Sequence, residues 1–246
     1  MKGYDHVSSW YDTLVKEKGH YYHEKVIIPK IMTFLKDKRS VLDLACGQGV
    51  LQRHLAPGVE YLGIDISDKM ISRANSYNKN KNHRFIKKDL SLPIDVDKKD
   101  FEVATIILSL QDIDKPSIVL QNASRHLKKD GSLIIVINHP CFRIPRQSSW
   151  GIDEKIKIQY RRIDRYMTSM KIPISVNPFD KKNQRHLFAN HFSLSMLSSY
   201  LYENNFLIEK IDELISDKKS EGAKAKMENR SREEFPLFML IAARKR

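Results

Sequence analysis

The stretch VLDLACGQGVLQRHL, residues 41–55, changes its periodicity halfway along. Val41, Leu42 and Leu44 form a short apolar run with polar neighbours, the pattern of a buried strand. Gly47 and Gly49 break that run, and apolar residues then return at helical spacing over 50–55. A strand that turns through glycines into a helix is the unit from which parallel sheets are assembled. This one also carries an acid, Asp43, four residues ahead of the first glycine.

The unit repeats. Residues 40–45, 60–65, 83–89, 101–108 and 131–138 read as buried strands. Between them the spacing predicts helices over 67–77, with Ser67 as N-cap, and over 115–131, with Gly131 as C-cap. Strands that are apolar on both faces, separated by amphipathic helices, predict a Rossmann-like, doubly wound α/β sheet. The pattern stops after residue 138, and 139–190 reads as loop and cap material. A helix over 193–205, a strand over 206–213, a charged loop over 215–233 and a last strand over 235–245 follow. Two strands with no helix between them predict an antiparallel pair at one sheet edge. The chain of 246 residues is thus expected to be one domain. Its parts are an N-terminal helical lid (1–39), a core (40–138), a cap insertion after the fifth strand (139–190) and a C-terminal helix and strand pair (191–246).

Composition narrows the function class. The net charge of +13 raises the question of nucleic acid, but Lys and Arg are scattered along the chain, which argues against a dedicated binding face. The two cysteines, Cys46 and Cys141, are too few for a disulfide scaffold or a zinc site, and no metal site is expected. Free thiols predict a reducing, cytoplasmic setting. The first residues lack the apolar core of a signal peptide, and no apolar run approaches the ~20 residues that span a bilayer. No pattern fixes an oligomeric state.

Glycines after a strand let a ligand approach the main chain. A dinucleotide fingerprint would need a third glycine where Gln52 stands, and its pyrophosphate would meet Asp43. A cationic ligand suits the acid better. S-adenosylmethionine has a sulfonium and an ammonium and no phosphate, so Asp43 can hold the ammonium, directly or through water. Asp65 ends the second strand, close to the roughly 20-residue offset at which an acid binds ribose hydroxyls. Ile66 and Met70 can flank the adenine, and Asp89, followed by Leu90, ends the third strand and can accept the adenine amino group.

These segments resemble the class I S-adenosylmethionine-dependent methyltransferases, of the small-molecule group that includes the quinone-biosynthesis enzymes. LDLACGQG is similar to the family's first motif at Asp43, Ala45, Cys46, Gly47 and Gly49; GIDIS to its ribose motif at Asp65; KKDLSLP to its adenine motif at Asp89 and Leu90. IILSLQDI is similar to the fourth-strand segment, which would set Leu108, Ser109, Leu110 and Gln111 beside the methionine end. LKKDGSLIIVI is similar to the helix, turn and fifth strand. The resemblance implies a seven-stranded, mostly parallel sheet whose last strand is antiparallel. It implies methyl transfer to the O, N or C nucleophile of a small molecule by in-line displacement, with S-adenosylhomocysteine as product. The weighed alternatives are an RNA methyltransferase, a non-catalytic S-adenosylmethionine-binding protein and a nicotinamide-dependent oxidoreductase.

Each site residue also has a plainer reading. Asp65 can cap the following helix, Asp89 can close its own turn, and Cys46 reads as a packed residue rather than a nucleophile. Tyr11 and Tyr22 are either sheet packing or a lid, Tyr22 toward the cofactor and Tyr11 toward the acceptor. His139 is either a structural turn residue before Pro140 or a general base. Phe142, Arg143 and Trp150 are expected to line the acceptor cavity, where Arg143 could bind a carboxylate or phosphate, unless it sits on the surface.

Overall fold

The computed structural model describes residues 19–175 and 186–246. The expected strands form as β1 (Ser40–Leu44), β2 (Glu60–Asp65), β3 (His83–Lys87), β4 (Phe101–Ile107) and β5 (Leu127–Asn138). Two hairpins follow, β6 (Ser148–Asp153) with β7 (Ile158–Ile163), and β8 (Met170–Ser175) with β9 (His186–His191). The chain ends with β10 (Phe206–Leu214) and β11 (Phe238–Lys245). Seven strands share one sheet in the order β10-β11-β5-β4-β1-β2-β3. β1 to β5 run parallel, and β11 lies antiparallel to both β5 and β10. Winding reverses direction between β1 and β4, the point at which such sheets open a cleft beyond their carboxyl ends.

Alternate residues of each strand face opposite layers. Leu42, Leu62, Ala104 and Ile135 pack against Val119, Leu120 and Ala123 of α3 (Pro116–His126) and Leu197 and Leu201 of α4 (Leu194–Glu203). Val41, Tyr61, Val103 and Val136 face Ile28, Ile31 and Leu35 of α1 (Ile28–Leu35) and Ala74 of α2 (Asp68–Tyr77). Caps hold two of these helices: Ser67 Oγ accepts the Met70 N–H at 3.2 Å, and Ser193 Oγ accepts the Met196 N–H at 3.4 Å.

Four local expectations change. The segment after the glycines is only a 3₁₀ turn, Leu51–His54, because Leu55 returns to extended backbone and Pro57 follows. No helix N-terminus therefore faces the cleft there. α3 ends at His126, and Gly131 is not its cap. Leu127 pairs with Phe101 of β4 and starts β5 instead. Residues 139–190 are not plain loop, since their charged and aromatic side chains conceal the two hairpins. Within the charged stretch 215–233 begins a helix, α5 (Ala225–Glu234), which buries only Ser231; that hydroxyl donates to the Gln159 carbonyl of β7 at 3.3 Å. A helix held by a polar contact leaves no apolar period to find.

Asn122 sits on the apolar face of α3 and is fully buried. Its Oδ1 accepts the Ile94 N–H at 3.1 Å, and its Nδ2 donates to the carbonyls of Leu90 (3.2 Å) and Leu92 (2.9 Å). It thereby ties the segment after β3 to the helix layer. An Asn122→Leu variant leaves a buried N–H without a partner, so it should lose about 2 kcal/mol of stability. Thermal or urea unfolding reads this directly.

Candidate active site

The first wall of the cleft is the turn after β1. Ala45, Gly47 and Gly49 all take left-handed backbone, with φ of 58°, 53° and 70°. For Ala45 this is a strained conformation, and such strain collects where a site must be held in shape. The two glycines serve different ends. A Cβ on Gly49 would stand 2.8 Å from the Phe85 ring, so this glycine permits packing. A Cβ on Gly47 would meet nothing within 4 Å. Open space lies over Gly47, as a ligand on the main chain requires.

Asp65 fastens this turn to β2. Its Oδ2 accepts the Gly47 N–H and its Oδ1 the Ser67 N–H, both at 2.9 Å. A carboxylate has about four lone-pair sites, so it can hold the turn and still accept further hydrogen bonds. Asp65 thus adjoins the α2 cap and the open turn at once. Ile66 beside it is half-buried, whereas Met70 is 2% exposed and lies inside the fold, not on a ligand-facing surface.

Asp43 lies beneath the turn, 2% exposed. The register sets it beside Thr105 on β4 and opposite Gly63 on β2. Thr105 Oγ1 donates to its Oδ1 and Tyr61 Oη to its Oδ2, each at 2.7 Å. Gly63 leaves room for the Phe85 ring and Cys46 Sγ; a Cβ there would come within 2.7 Å of that ring and 2.8 Å of that sulfur. Burial pushes the Asp43 carboxyl up to about 6, against the two hydroxyl bonds, which pull it down. Burial and the neighbouring carboxylates also raise the Cys46 thiol, so it is a packed side chain and not a nucleophile. Tyr61, Thr105 and Gly63 are neighbours of Asp43 that motif reasoning passes over; the parallel register identifies Thr105 and Gly63, and the hydroxyl bond identifies Tyr61.

The second wall is the end of β4. Leu108 is left-handed, φ 52°, as Ala45 is on the adjacent strand. This twist carries the chain into a 3₁₀ turn, Leu110–Asp112. Ser109 Oγ and Gln111 Oε1 are buried there without a hydrogen-bond partner among the described residues. Unpaired buried polar atoms at the mouth of a cleft are what a bound ligand would satisfy. Asp89 is half-exposed, and its Oδ1 accepts from the Ser91 N–H (2.9 Å) and hydroxyl (2.6 Å), closing its own turn. Burial pushes its carboxyl up, but the Ser91 bonds outweigh that and leave it below the ordinary range. Leu90 is 5% exposed and belongs to the core, not to a ligand surface.

Beyond β4 and β5 lies a concavity lined by Leu110, Gln111, Asn138, Arg143, Asn190 and His191, among others. Of the acceptor residues expected from sequence, Arg143 is there. Phe142 and Trp150 instead stack on Phe235, with ring centroids 5.5 and 5.3 Å away, and Trp150 is 44% exposed. Tyr11 lies outside the described residues. Tyr22 packs edge-on against Phe238 at 5.7 Å, and its hydroxyl pairs with Ser216 at 3.2 Å, which places it on the Arg143 side rather than over the glycine turn. Asn190 is hidden by the irregular composition of the cap, and His191, the first residue after it, precedes the apolar period of the next helix.

His139 is committed on both ring nitrogens. Nδ1 accepts the Cys141 N–H at 3.2 Å, which leaves the proton on Nε2, donated to Glu213 Oε1 at 2.8 Å. Burial lowers its pKa, against the Glu213 contact. A ring with no free lone pair is a poor general base, so the plainer structural reading fits the geometry. Among the described residues no cluster of His, Cys, Asp and Glu has the arrangement of a metal site. No described helix is long and apolar enough to cross a membrane.

A family model described as a methyltransferase domain matches residues 35–159. No curated protein matches the sequence. Among solved structures, the fold is similar to an S-adenosylmethionine-dependent methyltransferase from Mesorhizobium loti, at 22% identity, 88% of this chain, 96% of that one and TM-score 0.66. One from Clostridium acetobutylicum aligns at 21% identity over 98% of each chain, TM-score 0.60. A glycopeptide N-methyltransferase complexed with S-adenosylmethionine aligns at 14% identity, 88% of this chain, 92% of that one and TM-score 0.59. At these identities the likenesses speak for the fold. The family match, however, covers just over half of the sequence and includes both walls of the cleft, and the chain belongs to the methyltransferase-domain family.

Proposed function

We propose that this methyltransferase uses S-adenosylmethionine and acts on a small-molecule acceptor. The observation that carries the cofactor reading is the open space over Gly47, flanked by the Asp65 carboxylate; the buried Ser109 hydroxyl after the neighbouring strand, without a partner among the described residues, supports it. In this reading Asp65 accepts from the ribose hydroxyls and Asp43 supplies negative charge under the turn. Ile66 borders the adenine, and the remaining oxygen of Asp89 is left for its amino group. When bound, S-adenosylmethionine supplies a methyl group already activated on a sulfonium. The chain's own contribution is to align the acceptor and exclude water, an effect worth roughly 7–11 kcal/mol. The small-molecule reading is supported by the hairpin β8–β9, whose Asn190 Nδ2 donates to the Gln111 and Ile113 carbonyls at 3.2 and 3.1 Å and so narrows the concavity.

Titration calorimetry with S-adenosylhomocysteine tests the cofactor reading. Saturable one-to-one uptake is expected and NADH should not compete; absence of uptake overturns it. His139→Gln should keep turnover within a few-fold, measured as label transferred from cofactor to an extract of the source cell. Loss of about a hundredfold or more would restore the ring as a general base.

A further inference from the structure

Arg143 is where the concavity is chemically unfinished. Its guanidinium lies 5.4 Å from the Phe238 ring centroid, and it forms no hydrogen bond or ion pair with the described residues. The charged group that acts on it most is Arg161, of like sign. Arg161 is itself held without a carboxylate: Nε donates to the Phe142 carbonyl and Nη2 to the Ser148 hydroxyl, both at 2.8 Å, and the cation stacks on Trp150 at 4.9 Å. The nearby acid, Glu213, is taken by His139. No carboxylate is among the described residues that line the concavity.

A guanidinium cannot shed its proton at physiological pH, so partial burial without a counter-charge is costly, and a second cation beside it adds to the cost. Elsewhere the protein avoids this: Arg244 pairs with both Glu209 (2.6 Å) and Asp130 (2.8 Å). Gln111, which lines the same concavity, presents a buried Oε1 with no donor among the described residues. The lining therefore lacks an anion at Arg143 and a hydrogen-bond donor at Gln111, and Gln111 belongs to the turn that follows β4.

We infer that the methyl acceptor is a compact acid whose carboxylate or phosphate pairs with Arg143 and whose hydroxyl or amine, the group that is methylated, donates to Gln111. This deepens, and rests on, the methyltransferase reading above. The nucleophile's lone pair forms the new bond to the methyl carbon as the carbon–sulfur bond breaks and its electron pair returns to sulfur. The proton released from the hydroxyl or amine passes to solvent.

The test uses the full chain saturated with S-adenosylhomocysteine and three probes: 3-hydroxybenzoate, 3-hydroxyphenyl phosphate and the neutral 3-hydroxybenzamide. At least one anion should bind about tenfold or more tighter than the amide, as a charge-assisted hydrogen bond predicts. The tighter of the two identifies carboxylate or phosphate as the natural group. Arg143→Gln should bring anion and amide within a few-fold of each other while S-adenosylhomocysteine still binds. Should that variant fail to fold, Arg143→Lys should still reduce the preference several-fold, because it keeps the charge but loses the planar fork. Equal binding of anion and amide, no binding of any probe, or a preference unchanged in the variants overturns the inference. Failure of the wild-type chain to bind S-adenosylhomocysteine overturns the methyltransferase reading itself, which separates the two.

Discussion

Asp65→Ala should lower affinity for S-adenosylhomocysteine by a hundredfold or more. The carboxylate binds the turn and the α2 cap at once and stands beside the open space over Gly47. Two charge-assisted hydrogen bonds to ribose hydroxyls, at roughly 1.5–3 kcal/mol each, set the size of the loss. The variant also frees the N–H groups of Gly47 and Ser67. Gly47 is half-buried, where water can replace the carboxylate, whereas Ser67 is fully buried, so unfolding should shift by about 1–2 kcal/mol. The contrast is the test: calorimetry should report a large loss and thermal unfolding a small one. Asp65→Asn retains the shape but must turn an N–H₂ toward one of two backbone donors, so it should fall nearer to Ala than to Asp. Affinity within about fivefold of wild type in the Ala variant would remove Asp65 from the cofactor site.

The legible part of this chain is the part whose chemistry repeats locally. β1, β2, β4 and β5 announce themselves because both of their faces are largely buried, and Asp65 stands out because its offset from Gly47 is fixed by one strand–turn–strand unit. What the sequence conceals depends on pairing between distant segments. Thr105 reads as an ordinary strand residue until the register sets it beside Asp43, and Tyr61, paired with Val41, until its hydroxyl is seen to reach the same carboxylate. Leu90 and Met70 illustrate the opposite case. Each follows a motif acid or sits near one, yet the core claims both. The cap hairpins were hidden because β7, with Arg161 and Arg162 among its apolar residues, exposes much of both faces. His139 looked reactive because its pKa suits a base; only the distant Glu213, on β10, reveals that its ring is occupied.

Asp43 offers the other large effect, and it separates stability from binding. Its folded-state pKa of about 6 lies above the ordinary value of 3.8, so the folded chain holds a proton that the unfolded chain gives up. The stability Asp43 contributes is therefore fully present below about pH 4 and is lost as pH rises through about 6. Above that point the ionised, buried carboxylate costs about 3 kcal/mol, at 1.36 kcal/mol per pKa unit. Asp43→Asn removes this cost and keeps a group of the same shape beside Tyr61 and Thr105. At about pH 8 the free variant should melt several degrees higher than wild type, at roughly 2–4 °C per kcal/mol for a chain of this size, and the gain should shrink as pH falls from about 6 toward 4. Binding should move the other way. The ammonium of S-adenosylhomocysteine favours ionised Asp43, so wild-type affinity should decline below about pH 6, approaching tenfold per pH unit, while Asp43→Asn binds at least tenfold more weakly above pH 6 and varies little with pH. A variant that is both less stable and equally good at binding would mean that the buried acid serves only the fold. A more stable variant that has lost the cofactor would mean that a costly charge is retained under the turn because a cation must lie above it.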